Sequence, residues 1–172
     1  MSRVAEMIDY LKDDIEQGLE EWKLKILNIN DIKVKEAFAT MKTKVETDDA
    51  CIVITYLRSS YITGTHQFKI ALYENEPFIS EPTLHKLVNL SPLFTRVSET
   101  IDKFTRKIKS QFIRVLSHEI EGIRRFHMEY LYQNSYYFFE KVTGKTGDDE
   151  GSIPVYFGEE MGEINQIGVI YK

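Results

Sequence analysis

The sequence predicts an α+β fold, predominantly helical, with four to five helices and a small antiparallel sheet that includes a C-terminal β-hairpin. Three observations carry this expectation. Apolar residues recur every three or four positions near the N-terminus and again through the stretch after Pro92. The segment HQFKIALY alternates apolar and polar residues, and the last twenty residues hold two further strand-like runs around a glycine-bounded turn.

The first helix is read from Val4, Ile8, Leu11, Ile15, Leu19, Trp22 and Ile26, a stripe separated by acidic residues that runs from about Ser2 to Leu27. Asn28 and Asn30 interrupt it. Asn30 or Asp31 then caps a second helix with Val34, Phe38, Met41 and Val45 on one face, so 2–47 reads as a helical hairpin. The next part, 50–80, is expected to carry the strands. CIVITYL is dense in β-branched and aromatic residues and fits either a buried strand or a buried helix, which leaves 51–62 open. In HQFKIALY, Phe68, Ile70 and Leu72 fall on one face and Gln67, Lys69 and Ala71 on the other; Phe78 and Ile79 suggest a short return strand.

Pro82 and the Ser91-Pro92 pair read as helix starts, since proline is tolerated in a first helical turn, and 82–143 is assigned to long helices. One carries Val97, Ile101, Phe104 and Ile108. The other starts at a Ser117 cap and runs to Thr143-Gly144 through Ile120, Ile123, Leu131 and Phe138. GKTGDDEGS is a polar connector, and 153–171 folds as a hairpin with Ile153, Val155 and Phe157 pointing inward.

With 172 residues, 42% hydrophobic and 28% charged, the chain suits one domain over 1–172. A net charge of −5 and a sequence pI near 5.5 argue against a surface devoted to nucleic acid or anionic lipid. The single cysteine, Cys51, allows no intrachain disulfide, and no apolar run is long enough for a membrane span or resembles a signal peptide, so the expected location is cytoplasmic with no membrane association.

No catalytic motif stands out, and the protein is not expected to be an enzyme. GKTG lacks the earlier glycine of a phosphate loop, LRSSYITG lacks the spacing of a nucleophile elbow, and no cofactor is implied. His66, His85, His118 and His127 show neither mutual i,i+4 spacing nor a Glu-x-x-His pair, so no metal is expected.

Two sets of residues remain. His118, Glu121 and Arg125 share one helical face, and His127 and Asn134 sit two turns apart on an otherwise apolar stripe. Together these five are the candidate ligand-binding residues, although charged pairs at such spacing also decorate ordinary exposed helices and a buried polar pair can merely fix helix register. Tyr130, Tyr132, Tyr136, Tyr137 and Phe139 exceed what one core-facing stripe can bury, and they are the candidate interaction surface.

The leading functional expectation is therefore a non-catalytic interaction or self-associating module, a homodimer or the partner of another protein. The first alternative is a small-ligand-binding protein or enzyme with a polar cleft around His118, Arg125, His127 and Asn134. The second is phosphate or nucleic-acid contact through the basic stretch 103–125, which the overall acidity disfavours.

Overall fold

A computed structural model of the chain describes residues 2–30, 32–77, 79–143 and 151–171. The N-terminal stripe becomes helices α1 (Arg3–Tyr10) and α2 (Lys12–Ile26), separated by one non-helical residue, the fully buried Leu11. The expected continuous helix is thus interrupted, without proline or glycine, where the chain turns Leu11 inward. Helix α3 (Ile32–Lys42) buries Val34, Phe38 and Met41; the proposed Asp31 cap lies outside the described residues.

The open question over 51–62 resolves into both alternatives in turn. Strand β1 (Cys51–Tyr56) is buried at every position, and a short helix α4 (Arg58–Thr63) follows it. A central strand covered on both faces needs apolar residues throughout, so CIVITY lacks the alternation that would have marked it. Strand β2 (Gln67–Tyr73) buries Phe68, Ile70 and Leu72 on one side, as its alternation predicts.

The helix expected from Pro82 is instead strand β3 (Leu84–Asn89), which pairs antiparallel with β2. Phe78, half of the proposed return strand, lies outside the described residues, while Ile79 is exposed and belongs to no strand. An unpaired β2 edge would leave a row of backbone donors and acceptors open, and LHKLVN occupies that edge. Ser91-Pro92 does start a helical turn, a single 3-10 turn (Ser91–Phe94) that leads into α5 (Val97–Gln111).

The second long helix is also broken in two. Helix α6 (Ser117–Gln133) ends at Asn134, whose Nδ2 donates to the Tyr130 carbonyl at 2.8 Å, and α7 (Tyr136–Val142) begins after Ser135. Ser117 is not the cap of α6. The buried Glu119 carboxylate accepts from Leu116 N–H at 2.8 Å and faces Arg3 at 3.4 Å, which ties α1 to the start of α6. The GKTG segment and the rest of 144–150 lie outside the described residues.

The expected C-terminal hairpin is present as β4 (Ser152–Glu159) and β5 (Ile164–Tyr171). It does not form a small antiparallel sheet with β2, however. The sheet has five strands in the order β3-β2-β1-β4-β5 and is mixed, because β1 runs parallel to β4 while every other neighbouring pair is antiparallel. Of the described residues, 52% are helical, in more segments than the four or five expected.

One face of the sheet, with Ile52, Ile54, Phe68, Ile70, Val155 and Phe157, packs against α2, α3, α6 and α7 in the main core. A second core lies among helices, where Met7, Leu11 and Ile15 meet Ile101, Phe104, Ile108 and Ile123. The reverse face of the sheet holds a smaller cluster of Cys51, Val53, Ala71 and Tyr73, with the Lys69–Glu160 ion pair (3.2 Å) beside it. No helix among the described residues is long and apolar enough to cross a membrane.

Candidate functional site

The rings of α6 and α7 part in three directions, and Tyr136 lines a hollow beside Tyr56, Glu140 and Glu159 at the ends of β1 and β4. Tyr132 and Phe139 point into the main core and are fully buried, so neither belongs to any surface of the folded chain. Tyr132 stacks on Phe94 (4.6 Å between centroids) and on Phe68 (5.3 Å), and its hydroxyl hydrogen-bonds with His66 Nδ1 at 3.0 Å. Desolvation raises the Tyr132 hydroxyl pKa well above its ordinary value and lowers that of the half-buried His66.

Tyr130 and Tyr137 face α1 and α2 instead. A hollow of about 590 Å³ is lined by Ala5, Ile8 and Ile15 on the α1–α2 side and by Phe126 and Tyr130 on α6. A second hollow of about 600 Å³ continues from it with Asp13, Glu20, Lys23, Asn134 and Tyr137. The two share Glu16 and Tyr130 and together form one groove along the helical side of the molecule.

Phe126 and Tyr130 stand one helical turn apart with their rings almost parallel, 6.2 Å between centroids at 8°, and Phe126 remains 38% exposed. The rim carries Asp9, Asp13 and Glu16, which make no ion pair among the described residues, together with Lys12 and Lys23. Of the two rim lysines, Lys23 is engaged locally, bonding Glu20 at 2.8 Å and lying 4.2 Å above the Tyr137 ring. Burial opposes the Lys23 charge, yet its bonds to Glu20 and the Tyr137 hydroxyl prevail and raise its pKa. The Tyr136 hydroxyl and Lys23 together lower the pKa of Tyr137.

The five candidate ligand residues do not converge. His118, Glu121 and Arg125 are exposed on the outer face of α6, where Arg125 and Glu121 pair at 3.5 Å. Asn134 lines the groove beside Tyr130 and Tyr137. His127 points the other way, to the floor of a separate cleft of about 180 Å³ between α2 and the start of α5, where Lys25, Arg96 and Lys103 stand with Glu21 and Glu99. His127 is only 3% exposed and meets the Phe104 ring edge to face at 5.2 Å. Its Nδ1 has no hydrogen-bond partner among the described residues, and desolvation lowers the ring's pKa to about 4.

The basic stretch 103–125 is likewise divided. Lys103 lines the His127 cleft, Lys107 pairs with Asp14 of α2, and Arg125 pairs with Glu121. Sequence reasoning missed the part that α1 plays in the groove, because Ile8 read only as part of the N-terminal apolar stripe and Ala5 was not singled out. The sequence signal that pointed here was the ring surplus, and Phe126, one turn before Tyr130, belonged with it.

Comparison of the chain with models of protein families, with curated proteins and with solved structures finds no match.

Proposed function

We propose that the protein is a non-catalytic interaction module that holds a basic amphipathic helix of another protein in the α1–α2/α6 groove. The observation that supports the reading is the groove itself: an apolar floor built on the open Phe126–Tyr130 ring pair, beneath a rim whose carboxylates Asp9, Asp13 and Glu16 make no ion pair among the described residues. Aromatic anchors supply most of the energy at such surfaces, and an acidic rim selects and steers a cationic partner.

A second copy of the folded chain fits this groove less well. Its own basic amphipathic helix, α5, already buries its apolar face, Ile101, Phe104 and Ile108, against α1, α2 and α6.

The test is fluorescence anisotropy with a labelled leucine-lysine amphipathic peptide, alongside light scattering of the protein alone. The reading expects a monomer that binds the peptide saturably, more weakly at raised salt. Phe126→Ala or Tyr130→Ala should weaken binding about tenfold or more, since buried aromatic anchors typically contribute over ~1.4 kcal/mol. Binding indifferent to both substitutions refutes the groove as the site. A stable dimer that dissociates on Phe126→Asp would assign the groove to a second copy instead.

A further inference from the structure

The cleft floored by His127 lies apart from the groove and shares no described residue with it. Its walls are apolar: Trp22 and Ile26 of α2, Leu93 of the 3-10 turn and Leu131 of α6. The Trp22 ring is fixed in place, because its Nε1 donates to the Leu93 carbonyl at 2.6 Å. The cleft holds about 180 Å³. An apolar cavity of roughly 150 Å³ admits benzene, so the occupant that fits is about one substituted six-membered ring.

His127 is the group that the fold leaves unexplained. It is 3% exposed, Nδ1 is sealed from solvent, and neither ring nitrogen has a hydrogen-bond partner among the described residues. A buried polar group without a partner costs free energy, and native proteins keep few of them. Phe104 meets the ring edge to face and offers no conventional hydrogen-bonding atom, so the missing bond has to come from the cleft. Burial keeps the ring neutral at ordinary pH. A neutral imidazole presents one N–H and one lone pair, and a hydroxyl, which both donates and accepts, satisfies it in either tautomer.

The mouth of the cleft has the opposite character. Helix α5 begins there, and no side chain caps its first turn, which leaves backbone N–H groups and the positive end of the helix dipole at the opening. Three cations, Lys25, Arg96 and Lys103, stand on this rim against two carboxylates, Glu21 and Glu99. Each lysine has a glutamate one turn away on its own helix, so the surplus charge is that of Arg96, which makes no ion pair among the described residues. A surplus of one suits a monoanion better than a dianion, and the guanidinium fork matches a carboxylate.

The occupant therefore needs a carboxylate at one end, a compact apolar body and a hydroxyl at the other end. We propose that this cleft binds a small hydroxylated aromatic carboxylate, its carboxylate on Arg96 and the first turn of α5, its ring against Trp22, Ile26 and Leu131, and its hydroxyl on His127.

The test is isothermal titration of the full chain with para-hydroxybenzoate, with benzoate, para-hydroxybenzyl alcohol and inorganic phosphate as controls. The expected result is saturable one-to-one binding of para-hydroxybenzoate with a change in Trp22 emission, several-fold weaker binding of benzoate, and far weaker binding of the alcohol and of phosphate. Arg96→Ala should weaken binding about tenfold or more, because hydrogen bonds between charged groups are worth more than neutral ones. His127→Leu should bind benzoate as wild type does and lose the preference for the hydroxylated acid, a change that a purely structural histidine would not produce. Glu16→Gln, in the helical groove, should leave binding unchanged. Thermal melts of each variant confirm that the fold persists. Absence of saturation, phosphate bound as tightly, indifference to Arg96→Ala, or a hydroxyl preference that survives in His127→Leu would overturn the proposal.

Discussion

Replacing His127 by leucine should remove a specific acid sensitivity of the protein. The ring is 97% buried, its Nδ1 is unpartnered among the described residues, and desolvation brings its pKa from 6.5 to about 4. A histidine with a depressed folded pKa costs no stability above the unfolded value. As the pH falls below 6.5 the unfolded chain takes up a proton that the folded chain refuses, and the penalty grows until the folded pKa is reached.

At 1.36 kcal/mol per unit, the loss is about 2 kcal/mol near pH 5 and levels off at about 3 kcal/mol below pH 4. His66, whose pKa is also lowered by burial, acts in the same direction but is common to both chains. At neutral pH the substitution forfeits an edge-to-face contact with Phe104 worth about 0.5–1.5 kcal/mol. It also removes an unsatisfied buried nitrogen costing about 1–3 kcal/mol, so His127→Leu should be as stable as wild type or more so.

Urea unfolding near pH 7.5 and near pH 5, followed by the fluorescence of the single tryptophan, Trp22, measures the difference directly. Wild type should lose about 2 kcal/mol more than the variant between the two conditions. An identical pH dependence in both chains, or a His127 resonance titrating near 6.5, would refute the reasoning.

Two further outcomes follow from close approach and burial. A Cβ at Gly158 would lie 2.1 Å from the Glu163 carbonyl oxygen, so Gly158→Ala should force the β4–β5 turn apart and cost at least ~2 kcal/mol in a thermal melt; an unchanged melting temperature would count against the tight turn. Burial pushes the Cys51 thiol up to about 11, so the native protein should resist a thiol-reactive disulfide reagent at neutral pH while the urea-unfolded chain reacts at once; rapid native labelling would contradict the strand's central position.

The candidate sites were legible to different degrees. The surplus of rings between Phe126 and Phe139 signalled a second surface, and the groove receives Phe126, Tyr130 and Tyr137, whereas Tyr132 and Phe139 close the core over the sheet. Helical spacing alone cannot separate these groups once the helix breaks at Asn134 and resets the phase for α7. The cleft at His127 had half a signature: a histidine on the apolar stripe of α6 was marked, whereas Lys25 and Arg96 come from α2 and the start of α5, which no spacing within α6 reveals.

The sequence by itself determined the α+β class, the apolar faces of α2, α3 and α5, the inward face of β2 and the C-terminal hairpin. Each is a periodic pattern that one element imposes on its own residues. Tertiary structure alone decided that CIVITY is a central strand, that LHKLVN is an edge strand rather than the first turn of a helix, and that β1 runs parallel to β4. A strand enclosed on both faces carries no alternation, and an edge strand answers to the open ladder of its neighbour. A parallel pairing joins segments separated by nearly a hundred residues, so no local pattern can encode it.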